Sequence, residues 1–131
     1  MTKLNAVAAD YITSLKQFRK VLKLEKNDLT RDSAIKRFEL TFDLCWKFLK
    51  EYLLEFKGIR CTAPKECIKE SFKQGVIEYD DYWIDIVDIR NKTVHTYNES
   101  LADDIYNQLN HIAELFTHLE EFIKREIDLN G

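Results

Sequence analysis

Apolar residues recur at alternating spacings of three and four along most of this chain, and that spacing constrains its fold more than any other feature. It places them on one face of a 3.6-residue helix, where a half-buried strand would need strict alternation. The first stripe is Leu4, Ala8, Tyr11, Leu15, Phe18 and Leu22, and the second is Ile35, Phe38, Phe42, Cys45, Leu49, Tyr52 and Phe56. The third is double, with Tyr82, Ile86 and Ile89 beside Trp83, Val87, Val94 and Tyr97. The fourth is Ala102, Ile105, Leu109, Ile112, Phe116, Leu119 and Ile123. Three Gly and one Pro disfavour the many turns of an all-β domain, and 45% hydrophobic residues exclude a disordered chain. The sequence predicts an all-α protein.

Punctuation agrees with the stripes. Asn27-Asp28 and Thr30 to Ser33 offer turn and N-cap chemistry before the second helix, and Gly58 can close it in the left-handed conformation. Pro64 suits the first turn of a short helix ending near Gly75, and Ser100 with Asp103 resembles a capping box opening the last helix. A helix over roughly residues 31–57 would be about 40 Å long, long enough to span a domain whose radius of gyration is about 14 Å. Long helices with short connections pack as an antiparallel up-and-down four-helix bundle, here with one additional short helix, in a single domain over residues 1–131. Phe38, Phe42, Leu49, Leu109, Ile112 and Phe116 are expected in the core. The second helix is apolar beyond one stripe, through Leu40, Leu44, Trp46 and Phe48, so it is either central or part of a dimer interface. Glu39, Asp43, Lys47 and Glu51, each four apart, predict a narrow solvated strip along it.

No apolar run approaches the roughly 18 residues of a membrane span, and the first residues do not read as a signal peptide. Cys45, Cys61 and Cys67 are odd in number and contain no C-x-x-C pair, which suggests neither a disulfide nor a thiolate zinc site and makes a cytoplasmic location the expectation. Net charge is −3, so bulk attraction for nucleic acid is absent, yet residues 1–75 are net +6 and residues 76–131 net −9. Such asymmetry reads as complementary faces within a bundle or between subunits, or as a basic strip on the first half.

The segment from Arg90 to Tyr97 is chemically the most unusual. Arg90 falls on the stripe Trp83, Val87, Val94 and Tyr97, where a guanidinium needs a carboxylate such as Glu39, a bound anion or a cleft. On a regular helix Arg90 and His95 point about 140° apart, so they converge on one group only if the helix ends between them or two subunits share the site. Asn91, four residues before His95, could hold one imidazole tautomer. His111, Glu114, His118 and Glu121 follow metal-ligand spacing, but they lie largely off the apolar stripe and read as a solvated face. No phosphate-binding glycine loop or Ser-His-Asp set occurs, and no metal or cofactor is expected.

Arg90-Asn91-x-x-x-His95-x-Tyr97 resembles the R-x4-H-x-Y motif of the HEPN superfamily of small helical proteins. With Arg37 to Lys47, Ala63-Pro64 and Trp83, the chain resembles the nucleotidyltransferase substrate-binding protein branch over roughly residues 5–125; Asp43 and Cys45 stand where that family commonly has Glu and Ala. The resemblance implies a dimerising four-helix bundle and a separately encoded minimal nucleotidyltransferase as partner. Related proteins are toxins that cut RNA without metal, with the nucleotidyltransferase as antitoxin, in some pairs adenylylating the tyrosine that matches Tyr97.

Two functions follow from that resemblance. In one, the protein is the toxin of a toxin-antitoxin pair and a metal-independent endoribonuclease. The RNA 2′-OH would attack, His95 would act as general acid or base, and Arg90 would neutralise phosphoryl charge, with Asn91 and Tyr97 in support. In the other, it is a non-catalytic substrate-binding subunit of the nucleotidyltransferase complex. The acidic run Glu78, Asp80, Asp81, Asp85 and Asp88 opposes the first by repelling phosphate, and the Arg-His pair favours it.

Overall fold

The computed structural model describes residues 2–129, and the regular structure among them is all helical. Its elements are α1 (Lys3–Leu22), α2 (Asp28–Lys57), α3 (Pro64–Lys73), α4 (Tyr82–Lys92), a 3-10 turn (Thr93–His95), α5 (Glu99–Tyr106) and α6 (Leu109–Glu126). α2 is the axis of the bundle and touches every other helix. α1 runs antiparallel to it, since Lys3 pairs with Glu51 and Ser14 bonds Thr41. α1 is also antiparallel to α6: Asn5 reaches the Asp128 carbonyl, and Tyr11 donates to the Phe116 carbonyl at 2.7 Å.

The six expected core residues are all buried, and Phe18, Phe38, Trp83 and Phe116 form the aromatic centre. Both long-helix ends follow the local chemistry. Asn27 accepts from the Leu29 and Thr30 amides while the Thr30 hydroxyl accepts from the Asn27 amide, a reciprocal N-cap. Gly58 closes α2 at φ 65°, as its type suggests. A Cβ there would meet nothing within 4 Å, so only backbone strain opposes Gly58→Ala. That substitution is expected to cost about 1–2 kcal/mol, read as a lower denaturant midpoint at unchanged slope.

Four local expectations are corrected. The fourth stripe is two helices, broken at Asn107-Gln108. Both residues keep right-handed dihedrals, so the side chains stay in phase across the break and the sequence conceals it. α5 begins before Ser100: Asn98 caps it by accepting from the Leu101 amide, and Asp103 is taken by Lys26 and Arg31. The third stripe turns outward where α4 ends, leaving Val94 and Tyr97 exposed. Finally, Cys61 and Cys67 are joined by a disulfide, their Cα atoms 5.3 Å apart. The turn into α3 at Pro64 brings them together, a proximity that a spacing of six does not advertise. The bond removes the cysteine argument for a reducing compartment. Cys45 alone is free, and burial pushes its thiol pKa far up.

The charge asymmetry is answered inside the chain by pairs between its halves: Arg19–Glu120, Lys26–Asp103, Lys65–Asp88, and buried Arg31 with Glu99 and Asp103. Lys26 and Arg31 hold the Asp103 carboxyl below the usual carboxylate range. A depressed folded pKa contributes stability above the unfolded value and loses it as pH falls through the folded one. Asp103→Asn is therefore expected to flatten the acid limb of a stability–pH curve, measured by thermal melts from neutral pH downward.

Candidate functional site at the end of α4

Arg90 lies at the last turn of α4, on the side facing α2. Its Nε and Nη2 donate to the two oxygens of Asp43, each at 3.2 Å, and Nη1 donates to Glu39 at 3.1 Å and to the Thr93 hydroxyl at 3.0 Å. Glu39 and Asp43 are four apart on α2, which is why one planar fork meets both. The strip expected to be merely solvated is therefore partly a clamp. Glu39 was legible as a partner from the burial argument; Asp43 was not, although its i,i+4 relation to Glu39 carried the signal. Four of the five guanidinium N–H groups are engaged, leaving one on Nη2 directed by the same clamp. Two carboxylates more than offset the Arg90 charge.

Thr93 stops the helix. Its hydroxyl donates to the Arg90 carbonyl at 2.7 Å, competing with the helical ladder, and the chain tightens into the 3-10 turn. Arg90 and His95 thus leave a common helical register, the first of the two conditions for their acting on one group. His95 is exposed, and its Nδ1 lies 3.3 Å from the hydroxyl of Tyr97, with the two rings edge to face. Asn91 is exposed and makes no hydrogen bond to His95, because the turn ends the i,i+4 relation between them. The hydroxyl beside the His95 ring is that of Tyr97, which is 81% exposed at the surface.

The acidic run before Arg90 is partly committed locally. Asp80 accepts from the Tyr82 amide at the start of α4, Tyr79 donates to Asp81, and Asp88 pairs with Lys65. On α6, His111 packs edge-on against Tyr82 and sits 3.7 Å from Glu114, while His118 and Glu121 line a separate hollow with Arg125. No three His, Cys, Asp or Glu side chains among the described residues are placed to hold a metal ion. No described helix is long and apolar enough to cross a membrane.

Comparison with known proteins places this geometry in a lineage. The crystal structure of ttk003001694 from Thermus thermophilus is 33% identical, with a TM-score of 0.78 over 92% of this chain and 99% of that one. HI0074 from Haemophilus influenzae, described as showing the fold of a substrate binding domain of a nucleotidyltransferase, has a TM-score of 0.73 over 93% and 99%; at 24% identity it attests the fold. A Haemophilus influenzae protein described as "Probable ribonuclease HepT" is 30% identical over 80 residues, 58% of this chain and 55% of that one. The chain thus spans about half the length of that curated relative. The family model "Nucleotidyltransferase substrate binding protein like" matches residues 7–125, a span that holds α2 to α5, the α4 turn and most of α1 and α6, and the chain belongs to this family.

Proposed function

We propose that this protein is an endoribonuclease of the HEPN type, the toxin partner of a separately encoded minimal nucleotidyltransferase. The observation that carries the reading is the exposed His95–Tyr97 pair just beyond the clamped Arg90. As general acid the ring is the imidazolium: Nδ1–H donates to the Tyr97 oxygen, and Nε2–H gives its proton to a leaving 5′-oxygen, which leaves the neutral ring. In the neutral ring Nδ1–H donates to the Tyr97 oxygen, and Nε2 is bare and can take the proton of an RNA 2′-OH. The attack forms a 2′,3′-cyclic phosphate and frees the 5′-hydroxyl of the next nucleotide, with no side-chain nucleophile required. Arg90, held in a fixed orientation by Glu39 and Asp43, offers its remaining N–H to a phosphoryl oxygen. Esterifying the Tyr97 oxygen with an adenylyl group would remove the hydroxyl that serves Nδ1, and in this way the nucleotidyltransferase would silence the site.

A homodimer belongs to this proposal. Val94 and Tyr97 are exposed next to the motif and Leu40 is exposed on α2, apolar surface that a twofold partner would cover. Sedimentation at tens of micromolar tests it, and a monomer there contradicts it.

The second reading, a non-catalytic substrate-binding subunit, is favoured by one observation: Arg90 is neutralised by two carboxylates, as in a structural ion pair. The two part in one experiment. Purified protein is incubated with RNA in EDTA, and the protein is expressed alone and with the product of the neighbouring gene. Cleavage that persists in chelator with cyclic phosphate ends, and growth arrest cured by the partner, support the toxin. Absence of both, with co-purification of the nucleotidyltransferase, supports the binding subunit. Either reading carries a cytoplasmic location with it, since RNA and nucleotides are found there.

A further inference from the structure

The face of α2 that clamps Arg90 continues, one turn further on, into a hollow of about 360 Å³ lined by Lys3, Val7, Trp46, Lys47, Lys50 and Glu51. Trp46 is partly buried, so its indole is anchored against the core while part of it stays accessible. The Lys50 ammonium lies 5.8 Å from the centre of that ring. The nearby carboxylates are already taken: Asp43 by Arg90, and Glu51 by Lys3 at 3.1 Å. Lys47 and Lys50 make no ion pair among the described residues. The hollow therefore combines an anchored aromatic platform with two cations that no described carboxylate neutralises, and at 1.5 Å per residue Lys50 lies about 10 Å along α2 from Asp43.

We propose that Trp46, Lys47 and Lys50 form a subsite for single-stranded RNA flanking the scissile phosphate, a base stacking on Trp46 and the adjoining phosphate held by the two lysines. The proposal rests on the reading of Arg90 and His95 as an RNA-cutting site and extends it to the path of the strand. Stacking on an aromatic ring with lysines on the backbone is sequence-tolerant and favours an unpaired strand, whose bases have free faces. It also answers how a chain of net negative charge holds RNA, by a local cationic track.

The test uses a 2′-O-methyl single-stranded 12-mer, which cannot be cut through its 2′-position. The chain has two tryptophans and Trp83 is buried, so quenching of intrinsic fluorescence by the oligonucleotide reports on Trp46. Wild-type protein should show saturable quenching. Trp46→Ala should weaken binding about 5- to 150-fold, measured by anisotropy of a labelled strand, and Trp46→Phe should restore most of it. The double variant Lys47→Gln/Lys50→Gln, on exposed and half-buried positions that leave the core untouched, should reduce the slope of log K against log salt by about 1.4. If Trp46→Ala loses its circular dichroism spectrum, the double variant alone decides. An unchanged slope, or binding of the duplex as tight as of the single strand, overturns the subsite. Its failure is distinct from failure of the parent reading: a wild type that cuts ordinary RNA while the double variant keeps an unchanged salt slope loses the subsite alone, whereas a wild type that binds the 12-mer as described but cannot cut ordinary RNA refutes the cutting and keeps the subsite.

Discussion

RNA cleavage by His95→Ala is expected to fall by about 10²- to 10⁴-fold, the range over which a positioned general acid or base acts. The fold should be indifferent to the change, because His95 is exposed and its partner is the Tyr97 hydroxyl, itself at the surface. Unfolding free energies of the two proteins should agree within about 0.5 kcal/mol, which separates loss of chemistry from loss of structure. In cells, induced wild type should arrest growth and His95→Ala should not. Arg90→Lys behaves differently. An ammonium cannot reproduce the two-pronged contact with Asp43 together with the Glu39 and Thr93 bonds, so this variant should lose both activity and stability. Equal cleavage by wild type and His95→Ala contradicts the assignment.

The largest effect on stability is expected at Phe116. Its ring lies 6.0 to 6.3 Å, centre to centre, from those of Trp83, Tyr11, Phe18 and Phe38, and it is fully buried. Those partners come from α1, α2 and α4, so one side chain joins four helices. Phe116→Ala removes the apolar transfer energy and leaves a cavity that rings on three different helices cannot easily close. A loss of about 3–5 kcal/mol is expected, a large share of the roughly 5–15 kcal/mol that holds a domain folded. Denaturant unfolding should show a much lower midpoint, and the free Cys45 thiol, buried on α2, should become reactive in the variant sooner than in wild type. A loss below about 1 kcal/mol would mean that the core refills the space.

Much of the bundle was legible because burial repeats with the helical period. Leu15, Phe38, Leu49, Ile112 and Phe116 each sit where their spacing puts them. Gly58, Asn27 and Pro64 were legible for a local reason, since caps are set by residues within one turn. The break at Asn107-Gln108 was not, because a kink that preserves right-handed dihedrals leaves the apolar phase intact. For the site, the sequence pointed to Arg90 and His95 and posed the geometric condition for their cooperation. Asn91 and His95 part company because Thr93 ends the regular helix between them.

By itself, then, the sequence determined the helical class, the core positions and the segment that bears the unusual chemistry, because these depend on side-chain periodicity and on contacts a few residues apart. Only the tertiary structure decided that Asp43 closes on Arg90 from 47 residues away, that Cys61 meets Cys67, that Arg31 is buried among carboxylates of α2 and α5, and that Tyr97 points outward beside His95. Each of these is a choice of partner between segments, fixed by how whole helices pack and where each stops, and no local pattern encodes it.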